Sequence, residues 1–134
     1  MIILHPVDIP LSCINEAAIE YHISAKLMIA ILQVERGKVG QIVKNKNGSF
    51  DIGPAQINSS WLPQLKSRGI TQEQIQFDPC VNVKVAAWIA AKAIASENNL
   101  LVGVGDYHSH TKQYNQSYFQ QVRIHFTKLK RLLD

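Results

Sequence analysis

One carboxylate stands out by its place in a pattern. Leu27, Met28, Ile31, Leu32 and Val34 recur at helical spacing, and Glu35 follows them at the end of the run. Counting back from Glu35, position i−4 is Ile31, i−7 is Met28 and i−8 is Leu27, so its side chain lies in line with the apolar stripe. Desolvation and the negative end of the helix dipole both disfavour the ionised form there. A carboxyl group that keeps its proton near neutral pH suits a general acid that protonates a leaving oxygen. The competing reading is a salt bridge to Arg36 or Lys38 at a frayed helix end.

Twelve residues later begins Asn47-Gly-Ser-Phe-Asp51-Ile-Gly53-Pro-Ala-Gln56-Ile-Asn58. Gly53 suggests close approach by another backbone or side chain. Gln56 and Asn58 carry amide donors and acceptors suited to sugar hydroxyl and acetamido groups. Asp51 is positioned to face Glu35 across a cleft, although the same stretch reads equally well as a polar turn followed by a helix cap. His108 and His110 lie two apart, but cleft and surface positions are the more ordinary use of such a pair than metal ligation. Trp61 and Trp88 fall on apolar helical stripes, and core packing is their default role.

The elements that must position these residues are mostly helical. The pattern predicts a helix from about Leu11 to Tyr21 and a second, capped by Ser24, running to about Arg36 with Gly37 as its stop. Asn47-Gly48 predicts a hairpin within residues 42–57, in a sheet of two or three strands. Ser59 or Ser60 is expected to cap a short helix with Trp61 and Leu65. Thr71-Gln-Glu-Gln74 has the capping-box pattern, and Asp78-Pro79 reads as cap and first residue of a long helix to about Ser96. A final helix is expected from about Ser117, with Tyr118, Val122, Phe126 and Leu129 inward. The fold class is thus mainly α, with one small hairpin, in a single domain spanning 1–134.

Bulk properties narrow the function classes. The chain has 134 residues, 46% hydrophobic and 18% charged, which suits one folded domain with its own core. A net charge of +4 suits an anionic polymer, but Lys128, Lys130 and Arg131 at the C-terminus read as a solvated helix face. The scattered basic residues match no nucleic-acid-binding motif. No stretch is long and apolar enough to insert in a membrane, and the first residues lack the basic and apolar regions of a signal peptide. An exported protein would therefore have lost its signal before Met1. The two cysteines, Cys13 and Cys80, lack histidines at zinc-site spacing, and no metal or cofactor is expected. They form either one disulfide, which implies an oxidising compartment, or two reduced core thiols.

Four pieces in order carry a family resemblance: Glu35-x-Gly37; Asn47-Gly-Ser-x-Asp51-x-Gly53-x-x-Gln56-Ile-Asn58-Ser59; Asp78-Pro-Cys80-x-Asn82; and Gly105-x-Tyr107. Together they resemble the lysozyme-like soluble lytic transglycosylases, in particular the small members attached to secretion systems, conjugation machines and type IV pili. The resemblance covers roughly Cys13 to Val122. It implies a helical, lysozyme-like fold with a β-hairpin beside the cleft, peptidoglycan glycan strands as substrate, a periplasmic location, and an envelope machine as partner. Glu35 matches the catalytic glutamate, Gly53 and Gln56 the Gly-Leu-Met-Gln element, Tyr107 the tyrosine of the Ala-Tyr-Asn motif, and Cys13 with Cys80 a family disulfide. Tyr118 falls where a family tyrosine closes the cleft wall. Arg36 replaces a usual serine, Pro54-Ala55 replaces Leu-Met, and His108, a further substrate-binding candidate, replaces the motif's asparagine. The Asp51 segment also resembles c-type lysozyme, whose aspartate is a nucleophile or charge stabiliser, so hydrolysis is the alternative reaction. A glycan-binding domain without catalysis is the alternative role.

Overall fold

The computed structural model describes residues 9–96 and 112–133, with side chains from 116 to 128 in the second span. Its elements are α1 (Leu11–Glu20), α2 (Ala25–Glu35), β1 (Ile42–Lys44), β2 (Phe50–Ile52), β3 (Ile57–Asn58), a 3₁₀ turn (Ser59–Trp61), α3 (Leu62–Ser67), α4 (Gln72–Phe77), α5 (Pro79–Ala95) and α6 (Lys112–Leu133). The architecture is α-dominated with a small antiparallel sheet, consistent with the lysozyme-like class read from the sequence.

The helices begin where the capping chemistry requires. Ser24 accepts a hydrogen bond from the Leu27 amide, and the Thr71–Gln74 capping box forms in both directions. Asp78 accepts from the amides of Cys80 and Val81, with Pro79 opening α5. Three boundaries differ from the sequence reading. Helix α6 starts at Lys112 rather than Ser117, since a formed helix propagates easily through a stretch without Gly or Pro. The 3₁₀ turn is capped by Asn58, whose side chain accepts from the Ser60 amide, because Ser59 instead accepts from the Phe50 amide in the sheet. Helix α2 ends with Arg36, not Gly37, in the left-handed conformation (φ 56°).

Burial explains the packing order. Five consecutive residues of α2, Met28 to Leu32, are buried, as a helix flanked by both α1 and α6 requires. Helix α5 is apolar on nearly every side and packs on α1 and α4. Cys13 on α1 and Cys80 on α5 form a disulfide, so the oxidised alternative holds. Trp61 and Trp88 meet edge to face, 5.5 Å between ring centroids, with the Arg68 guanidinium 4.6 Å above the Trp88 ring.

The sheet follows the order β1–β2–β3, pairing Val43 with Asp51 and Asp51 with Asn58. The hairpin predicted at Asn47-Gly48 forms with a longer loop than a two-residue turn. Asn45 and Ser49 bracket it through Asn45 N–H to Ser49 O at 2.8 Å, with Gly48 at φ 88°. Among the described residues, no helix is long and apolar enough to cross a membrane.

Candidate active site

Glu35 is the last residue of α2, where the stripe that buries Met28 and Ile31 carries its carboxyl toward the protein interior. The residue keeps partial solvent access. Burial nonetheless dominates its ionisation and raises its pKa from 4.5 to about 7, opposed by the nearby Tyr118 hydroxyl and assisted by the negative charge of Asp51. Arg36 and Lys38, the salt-bridge partners the sequence left open, do not enter that balance. Tyr118 is 3% exposed and comes from α6, which packs along α2. The same helix pair meets again where Nδ1 of His125 lies 3.0 Å from Oε1 of Gln33.

Asp51 sits mid-strand in β2, half-buried, and its charge is felt at Glu35. Asn58, its partner across the sheet, donates from Nδ2 to Asp51 Oδ1 at 2.9 Å and to Ser49 Oγ at 3.1 Å. The Asn58 oxygen accepts from the Ser60 amide at 3.1 Å. An amide expected to meet sugar is thus engaged within the protein, orienting Asp51 while it caps the 3₁₀ turn.

The turn after β2 explains the glycines. Gly53 has φ 68°, and a Cβ there would lie 2.4 Å from Nδ2 of Asn82. Gly37 donates to Pro54 O at 3.1 Å, and a Cβ on Gly37 would fall 2.0 Å from Gly53 O. The glycine after Glu35 therefore permits contact rather than ending the helix, a role that sequence reading missed. Gln56, at φ 53°, donates from Nε2 to Gly53 O at 3.0 Å, closing the turn on itself. Asn82, which the sequence offered only as part of a motif, is 0% exposed. Apart from Lys84, Asn82 is the one polar residue between Val81 and Ala90, and that was the signal available for it. Tyr107 and His108, with His110, lie outside the described residues.

What the arrangement brings together is a carboxyl group that exchanges its proton near neutrality, a second carboxylate held by an amide, and a tyrosine hydroxyl on the first. Such a set supports acid–base work on an oxygen leaving group. The comparisons with known proteins point the same way. Residues 12–123 match the family model described as "Transglycosylase SLT domain". The chain is 32% identical over 123 residues to "Invasion protein IagB" of Salmonella typhimurium, covering 88% of this chain and 77% of that one. It is 31% identical over 133 residues to a "Peptidoglycan-binding-like protein" of Escherichia coli O157:H7, covering 90% and 80%. To "Protein IpgF" of Shigella flexneri it is 31% identical over 100 residues, covering 74% and 66%. The chain therefore belongs to the transglycosylase SLT domain family, a family of peptidoglycan lytic transglycosylases.

Proposed function

We propose that this chain, as one catalytic domain, cleaves the β-1,4 bond between N-acetylmuramic acid and N-acetylglucosamine and leaves 1,6-anhydromuramic ends. The observation that carries the reading is the buried Glu35 carboxyl, with its pKa raised to about 7, beside Asp51 in a chain of this family. At neutral pH a large fraction of Glu35 is protonated and ready to give its proton to the glycosidic oxygen. The resulting carboxylate then takes the proton of the muramic C6 hydroxyl as that oxygen attacks the anomeric carbon. The bond to the leaving sugar breaks, a C1–O6 bond forms, and no water is consumed. Because the nucleophile belongs to the substrate, its high effective molarity lets one carboxyl group serve as acid and then base.

Asp51 stabilises positive charge developing at the anomeric carbon, in the orientation that Asn58 gives it. Gln56, Tyr107, His108 and Tyr118 border the glycan in this reading, while Gly53 is buried and shapes the turn that carries Gln56. The same Asp51 is the specific observation behind a second reading, retaining hydrolysis with Asp51 as nucleophile. The relatives named for invasion and for peptidoglycan-binding likeness support a place in the cell envelope, opening the wall for a secretion, conjugation or pilus apparatus. The disulfide suits the oxidising periplasm.

The test is mass spectrometry of purified sacculi digested by the chain. Anhydro ends in wild-type digests and none with Glu35→Gln are expected. Reducing ends alone would replace transglycosylation with hydrolysis, and digestion undiminished in Glu35→Gln would remove Glu35 from the chemistry.

A further inference from the structure

We infer that Asn82 is a positioning residue for Glu35, acting through the Gly53 turn that closes on the end of α2. The inference rests on the reading of Glu35 as the acid. Asn82 is the buried polar residue in a core otherwise made of hydrophobic side chains among the described residues. Three of its four side-chain hydrogen-bonding positions are spent on the backbone of β2, of the turn after it and of α4. Nδ2 donates to Ile52 O at the end of β2 and to Ile75 O in α4, both at 3.0 Å, while Oδ1 accepts from the Ala55 amide at 2.9 Å. One side chain thus grips the turn at its entry and its middle and ties it to α4.

The gripped turn is the surface against which the catalytic helix ends. Gly37, two residues past Glu35, donates to Pro54 O, between the two gripped residues Ile52 and Ala55. Gly53 N–H also donates to Gln41 O at 2.9 Å, and the Gly40 amide donates to Gln76 O in α4 at 2.7 Å. The segment leaving α2 is therefore laced to both elements that Asn82 joins. Neither glycine leaves slack: a Cβ on Gly53 would strike Asn82, and a Cβ on Gly37 would strike the Gly53 carbonyl. Asn82, Gly53, Pro54 and Gly37 form a chain of direct contacts ending beside Glu35. Any displacement of the turn frees the helix end and admits water to the carboxyl.

The experiment is a carboxyl-carbon NMR titration of Glu35 in wild type, Asn82→Ala and Gly53→Ala, run beside the cleavage assay. Asn82→Ala removes all three bonds and adds no charge that would itself move the Glu35 titration. Gly53→Ala loads the same contact from the other side. In each folded variant the titration midpoint is expected to fall from about 7 by at least about half a unit as the carboxyl is rehydrated. The alkaline limb of kcat should move down with it, while KM changes less than about twofold. An asparagine that only stabilised the fold would lower Tm and leave the midpoint unmoved in the folded protein, and that result overturns the inference. If both variants fail to fold, amide exchange in the wild-type chain decides: Gly37 and Ala55 should open at one common rate. Rates differing more than about tenfold would break the coupling. A wild-type chain without cleavage activity whose variants still shift the titration would refute the proposed function and keep the positioning role.

Discussion

The hydroxyl of buried Tyr118, from α6, lies near enough to the carboxyl at the end of α2 to lower the proton affinity of Glu35. It opposes the effect of burial, since a donor favours the ionised carboxylate. Tyr118 therefore trims a pKa that would otherwise rise further. That matters to an acid that must become a base within one turnover.

Tyr118→Phe should raise the Glu35 pKa above about 7 and move the alkaline limb of the pH–rate profile to higher pH. The carboxyl stays protonated over a wider pH range but is a weaker acid, so protonation of the leaving oxygen becomes the slower half. A kcat profile across pH 5 to 9 checks the direction of the limb. A shift toward lower pH would contradict the role given to the Tyr118 hydroxyl.

Glu35→Gln should abolish cleavage by on the order of 10³-fold or more. The same variant carries a stability signature. Between 4.5 and about 7 the folded chain holds a proton that the unfolded chain has released, so the wild type loses stability as pH rises through that window. The loss approaches about 3 kcal/mol above pH 7 and is absent below 4.5. Glutamine does not titrate, so the Tm difference in its favour should grow from pH 4 to pH 8. Calorimetry at the two pH values measures it.

Asp51→Asn removes a charge that raises the Glu35 pKa, so the alkaline limb should move to lower pH. If Asp51 only stabilises charge, kcat falls on the order of 10²-fold and the products keep their anhydro ends. Complete loss of product would instead identify Asp51 as the nucleophile. Chromatography of the muropeptides separates these outcomes.

Replacing Cys13 and Cys80 by serine removes a link across a sequence separation of 67 residues. The unfolded chain regains the entropy of that loop, and stability should drop by about 4 kcal/mol. Urea unfolding of the paired variant against the oxidised wild type reads the midpoint shift.

Much of the site was legible in the sequence because its signals are local. The stripe from Leu27 to Val34 placed Glu35 on a buried face, and the Asn47-Gly48 turn put Asp51 on a strand. Ser24, Thr71 and Asp78 announced their caps, since a cap needs only a side chain and an amide a few residues apart. The four ordered motifs supplied the family.

What the tertiary structure decided involves partners distant in the chain. No local pattern assigns Asn58 to hold Asp51 or requires Gly37 to leave room for the Gly53 carbonyl. The three hydrogen bonds of Asn82 reach back 7, 27 and 30 residues. Even the proton affinity of Glu35 belongs to the folded molecule. The helical stripe gives the direction of its shift, but its size comes from the water that α6, the Asp51 strand and the rest of the fold exclude. Periodicity and capping are properties of a few adjacent residues, whereas desolvation and close contact arise only when remote segments converge.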